Sequence, residues 1–220
     1  MAARASALPH SGRRFADLVA LSERRLREAF GGRVARVYGW GIAVSYVLAL
    51  FLLKIRAEAI LAQALVALSW IPAGLVALGA ARDQARLDDE QGFVSLVRQR
   101  GFDARELELA RFLAAARRIA KVTGYPALVL VLARAALARG TDAALMSLSS
   151  AAGAAVYVVC LSLLLAGLAR ASAIVSGGRG RLLFVAVVLV PHVAGALFPE
   201  MPSVPRLLGT ILAAFFPGAE

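Results

Sequence analysis

Residues 144–168, ALMSLSSAAGAAVYVVCLSLLLAGL, run for twenty-five positions without a charged side chain. As an α-helix this stretch would extend about 37 Å, more than the roughly 30 Å of a bilayer's hydrocarbon core. Lipid offers no partner for backbone N–H and C=O groups, so an apolar segment of this length is predicted to be helical. Four further apolar runs lie on either side of it, at 37–53, 59–80, 122–138 and 182–198. The whole chain is 60% hydrophobic with a mean hydropathy of +0.73, whereas soluble domains hold about 45–50% apolar residues. The expected fold class is all-α: a polytopic membrane helix bundle with five full transmembrane helices. The apolar stretch 207–216 is too short to cross and reads as a C-terminal re-entrant or short sixth segment.

Two regions interrupt the apolar pattern, residues 1–36 and 81–121, so the chain divides into a basic arm (1–36) and a transmembrane domain (37–220) carrying a long polar loop. Tyr38 and Trp40 stand at the start of the first run, where interfacial aromatics anchor a span. The short link Lys54–Glu58 makes the first two spans an antiparallel hairpin. Pro72 falls inside the second, where it removes a backbone donor and predicts a kink. Ser147, Ser149, Ser150, Gly153 and Ala154 give the fourth a small-residue face on which another helix packs closely.

The formal charge of +11 is distributed in step with the spans. Eight arginines fall in the arm, nine basic residues in 81–121 and three (Arg170, Arg179, Arg181) between the fourth and fifth runs, against five elsewhere. Cytoplasmic loops retain positive charge, so the arm and the long loop are expected in the cytoplasm of a bacterium, with the chain in its inner membrane. The basic composition then requires no nucleic-acid partner. Cys160 has no second cysteine to pair with and reads as a small packed side chain. The arm lacks the apolar core of a signal peptide and is expected to be retained.

Within the arm, Phe15, Leu18, Val19, Ser22, Leu26 and Phe30 recur near helical spacing, with arginines between them. This pattern predicts an amphipathic helix over 12–36, N-capped by Ser11. It is expected to lie in the lipid headgroup plane, the alternative being a charged helix packed on protein.

The polar loop carries the functional signal. Residues 82–89 continue the second span as a charged helix, then Gly92 and Gly101 break the pattern. Asp103 followed by Glu106 is a capping box, which predicts a helix starting at Asp103 and running back to the membrane through Arg111, Arg117, Arg118 and Lys121. Phe93, Val94, Leu96 and Val97 are apolar in a segment outside lipid and need a protein surface to cover them, which implies a cytoplasmic partner.

The stretch Glu90-Gln91-Gly92-Phe93-Val94-Ser95-Leu96-Val97 resembles a pattern that follows the second span of type-2 ABC-transporter permeases. Asp103-Ala104-Arg105-Glu106-Leu107-Glu108-Leu109-Ala110-Arg111-Phe112-Leu113 is similar to their capped segment. Gly167-Leu168-Ala169-Arg170-Ala171 and Phe198-Pro199 fall in the expected order after it. The sequence departs from that family in having Arg100-Gly101-Phe102 where a proline turn is usual, and in lacking a full sixth span. The resemblance implies the membrane subunit of an ATP-driven exporter, paired with a second permease subunit. It also implies a separate cytoplasmic nucleotide-binding ATPase that holds ATP and Mg and is contacted through Glu90, Gly92, Phe93, Val94, Leu96, Val97, Asp103, Arg105 and Glu106.

No glycine-rich lysine loop is present, so nucleotide chemistry is not expected in this chain. Nor is there a catalytic constellation, a metal-ligand cluster or a cofactor motif, and the chain is not expected to be an enzyme. Arg134 and His192 are the possible intramembrane polar sites. Arg134 is expected near a span's outer end with its guanidinium reaching the headgroups, and His192 as a packed, hydrogen-bonded side chain. A rival reading is a non-transporting membrane scaffold or accessory subunit whose arm and loop recruit a cytoplasmic partner.

Overall fold

The computed structural model describes residues 8–28, 32–53, 57–82, 88, 90–137, 141–176, 178–191, 194, 204, 208 and 209. Their only regular secondary structure is helical. The helices are α1 (Leu8–Glu28), α2 (Gly32–Leu53), α3 (Ala57–Leu68), α4 (Gly74–Ala80), α5 (Phe93–Gln99), α6 (Ala104–Leu137), α7 (Thr141–Val175) and α8 (Gly180–Phe184). A π-helical turn, Ser69–Ala73, joins α3 to α4, and another, Val185–Leu189, follows α8.

Three helical segments among the described residues, Arg33–Leu52, Ala104–Leu137 and Leu148–Val175, are long and apolar enough to cross a membrane. Among the described residues, the expected second and fifth spans are represented by shorter apolar segments, Ala64–Ala80 and Gly180–Leu189. In the second, the chain stays helical from Ala57 through Pro72 to Ala80 and widens at the proline into the π turn, which accommodates the missing N–H without a sharp break. The third span belongs to a longer helix because α6 is continuous from the capped start in the polar loop, and the fourth continues in α7 through Arg170 to Val175.

Large apolar side chains point outward in stripes. Val37, Val44, Leu48 and Phe51 do so on α2, Tyr125, Leu128 and Leu132 on α6, and Leu148, Val159 and Leu163 on α7. Val37 is 73% exposed and Leu48 53%. Contiguous apolar surface of this kind needs a non-aqueous neighbour, and on three helices of spanning length that neighbour is lipid. The chain is a membrane-embedded helical bundle.

The bundle's core is built where α6 and α7 pack along their length, with α2, α3 and α4 against them. Leu61, Leu65 and Leu68 of α3 share one buried core with Ile119 and Leu130 of α6 and Tyr157 and Leu161 of α7. Gly39 lets α2 approach closely, since a Cβ there would lie 3.1 Å from the Val122 carbonyl oxygen and 3.5 Å from Pro126. Gly153 and Ala154 of the small-residue face are buried.

With 34 residues, α6 is about 51 Å long, well beyond the hydrocarbon thickness. Its charged first half, through Lys121, therefore stands outside the apolar layer. A second, smaller core forms there from Leu18 and Val19 of α1, Phe93 and Val97 of α5, and Leu107, Ala110 and Ala114 of α6.

The arm differs from the sequence expectation in extent and in surroundings. α1 begins at Leu8, ahead of Ser11, and ends at Glu28, so Arg33 and Arg36 belong to the first turns of α2. Its apolar side packs on α5 and α6 through Leu18 and Val19, while Leu26 joins the main bundle core; Ser22 is also buried. The helix therefore lies against protein, and the face expected on lipid is the one that closes the second core.

Candidate functional site: a clamped polar element

The polar element is organised by two adjacent helix-end motifs. Gly92 adopts φ +67° at the start of α5, and Ser95 Oγ donates to the Gly92 carbonyl at 2.7 Å. At the other end, Gly101 has φ +83° and its N–H donates to the Arg98 carbonyl, while the Phe102 N–H donates to that of Val97. This is the Schellman pattern, and the Phe102 and Val97 side chains meet in the same apolar cluster. Two residues later the capping box forms as the spacing predicts. Glu106 N–H donates to Asp103 Oδ1 at 2.6 Å, and Asp103 N–H to Glu106 Oε2 at 2.9 Å. Arg100-Gly101-Phe102-Asp103 therefore turns one helix directly into the next.

A chain of charges ties this corner to the membrane helices. Asp88, 4% exposed, accepts from both Arg25 of α1 and Arg111 of α6. Arg111 also pairs with Glu108, and Glu108 with Arg170 of α7. Arg170 in turn donates to the Ala80 carbonyl at the end of α4, at 3.4 Å. Arg25 adds a 2.6 Å bond to Gln91 and stacks on Phe93, 4.2 Å from the ring centre. Lys121 of α6 holds Glu23 of α1 at 2.6 Å.

Arg111 and Arg170 are buried at 6% each. Burying such charges is unfavourable unless they are paired and hydrogen-bonded, and each here has a carboxylate. Burial raises the Glu108 carboxyl, but the guanidiniums of Arg170 and Arg111 lower it by more, so it titrates below its ordinary range.

The side chains expected to meet a partner divide into two groups. Phe93 (9% exposed) and Val97 (3%) are covered by α1 and the start of α6, which corrects the expectation that they need an external surface. Val94 is half-buried, whereas Glu90, Gly92, Leu96, Asp103, Arg105 and Glu106 are exposed. Asp103 and Glu106 act as the helix cap. Beside Leu96 a cleft of about 610 Å³ opens between α1 and α5, lined by Arg14, Asp17, Leu21, Leu96, Arg100 and Phe102.

Arg134 is 5% exposed and does not reach outward. It shares the inward face of α6 with Ala127, Leu130 and Val131, at helical spacing, and that position rather than distance from the span's end decides its surroundings. His192 lies outside the described residues. Among the described residues no group of histidine, cysteine, aspartate and glutamate is placed to hold a metal.

The clamp is not legible in the sequence. Arg25, Asp88, Glu108, Arg111 and Arg170 were visible as charges, but nothing in their spacing pairs them, apart from the i, i+3 relation of Glu108 and Arg111. Comparison with family models, with characterised proteins and with solved structures finds no match for this chain.

Proposed function

We propose that the chain is the membrane-spanning permease subunit of an ATP-driven exporter, working with a second permease subunit and coupled through residues 81–121 to a separate cytoplasmic ATPase. The five-span topology, with a short or re-entrant sixth segment and a cytoplasmic N-terminus, belongs to this reading. The observation that carries it is the continuous connection from α5 to the membrane. The α5–α6 corner is held by two capping motifs, and the Asp88–Arg111–Glu108–Arg170 chain fastens it to both long helices. A load applied at α5 would then move α6 and α7 as packed bodies.

The docking face in this reading is the exposed side of α5, centred on Leu96 and the adjoining cleft. Phe93 and Val97 serve as the inner side that transmits the load to α1 and α6. Purifying the tagged chain from its native membrane tests the proposal. The complex should contain an ATP-hydrolysing subunit that is lost on Leu96→Glu, and a preparation with no associated hydrolysis would refute it.

The exposed cleft between α1 and α5 serves the scaffold reading equally, since there the arm and loop recruit a cytoplasmic partner without coupling to hydrolysis. Reconstituting the ATPase with and without this subunit separates the two, because a scaffold leaves the hydrolysis rate unchanged.

A further inference from the structure

A groove of about 570 Å³ runs between α6 and α7 on the membrane face of the bundle. Gly124, Ala151, Ala154 and Ala155 contribute little bulk along it, and Leu128 and Val159 are among the apolar side chains beside them. From Lys121 to Val131 the groove follows α6 for about 15 Å, the scale of an acyl chain. Arg117 and Lys121 stand at one end, where the charged half of α6 passes into its apolar half.

The two cations differ. Lys121 is matched by Glu23, but Arg117 is exposed and makes no ion pair among the described residues. An apolar groove in a bilayer fills with hydrocarbon without discriminating between lipids, since acyl chains are as apolar as leucine. Selectivity must therefore come from the unmatched guanidinium at headgroup height. The apolar stretches 34–53, 122–137 and 148–169 contain no carboxylate, so none of them supplies an anion for Arg117.

We infer that this groove is a binding site for an anionic phospholipid, with one acyl chain between α6 and α7 and the phosphate-bearing headgroup on Arg117, aided by Lys121. The site is separate from the α5 docking face and requires only that the bundle sit in a membrane.

The test is native mass spectrometry of the delipidated full chain in detergent, titrated with phosphatidylglycerol and phosphatidylcholine of matched acyl chains. One phosphatidylglycerol should bind about fivefold more tightly than phosphatidylcholine, the preference that one basic residue confers on an anionic lipid. Arg117→Gln should abolish that preference and Arg117→Lys should keep it, while Ala155→Phe, which fills the groove, should weaken both lipids. Equal binding of the two lipids by the wild type, or an undiminished preference in Arg117→Gln, would overturn the inference. So would glycerol phosphate binding as well as the lipid, or Ala155→Phe altering the dimer fraction while leaving lipid binding unchanged.

Discussion

Removing the Asp88 carboxylate is the most informative single perturbation of the polar element. In Asp88→Ala, Arg25 loses its ion pair but is partly exposed, with 27% of its side chain accessible, and recovers much of the loss from water; exposed pairs are worth about 0–1 kcal/mol. Arg111 cannot do the same, because only 5% of its side chain is accessible and Glu108 remains as its one charged partner. Breaking a buried pair by removing one member costs about 3–5 kcal/mol. The retained Glu108 contact puts the expected loss near the lower end, about 3 kcal/mol. Asp88 also links α1 to α6, so its loss should loosen the arm, exposing Arg24 and Arg25 to limited trypsin digestion in detergent or nanodiscs. A double-mutant cycle with Arg111→Met should return a coupling above about 1.5 kcal/mol, and one with Arg25→Met less than about 1 kcal/mol. Wild-type melting and an unchanged tryptic pattern in Asp88→Ala would show that the carboxylate does not hold the arm.

Two further perturbations have defined signs. Glu108 has its folded pKa depressed below the ordinary 4.5, so its stabilising contribution is complete above that value and disappears as pH falls through the lower folded value; the stability difference between wild type and Glu108→Gln, followed by thermal unfolding, should be flat above about pH 5 and shrink in acid. At Gly180, an added Cβ would lie 2.3 Å from the Ala81 carbonyl oxygen and 2.8 Å from Ala173 Cα, so Gly180→Ala should cost about 1–3 kcal/mol in the same assay, whereas alanine in a relaxed helix would be neutral or stabilising.

Much of the local structure was legible because it depends on neighbours in the chain. The Asp103–Glu106 capping box, the breaks at Gly92 and Gly101 and the long apolar helices follow from spacing and backbone chemistry alone. The effect of Pro72 was legible in place but not in kind, since a kink and a π turn answer the same missing donor. The surroundings of α1 were not legible: one apolar face suits lipid or protein equally, and the deciding contacts with Phe93 and Val97 lie more than seventy residues away. The clamp was hidden for the same reason. Arg25 and Asp88 are 63 positions apart, Glu108 and Arg170 62, and Glu23 and Lys121 98. Arg134 could have been placed from its register with Ala127, Leu130 and Val131, a local signal that its nearness to the span's end obscured.

The coupling role requires the α5–α6 corner to face the cytosol, where an ATPase could reach it. Arg100 is exposed in that corner and Cys160 is the chain's one cysteine, so Arg100→Cys in a Cys160→Ser background gives a single reporter. A membrane-impermeant maleimide should label it only after the cells are permeabilised. Labelling of intact cells to the same extent would put the corner on the outer side and contradict the coupling role.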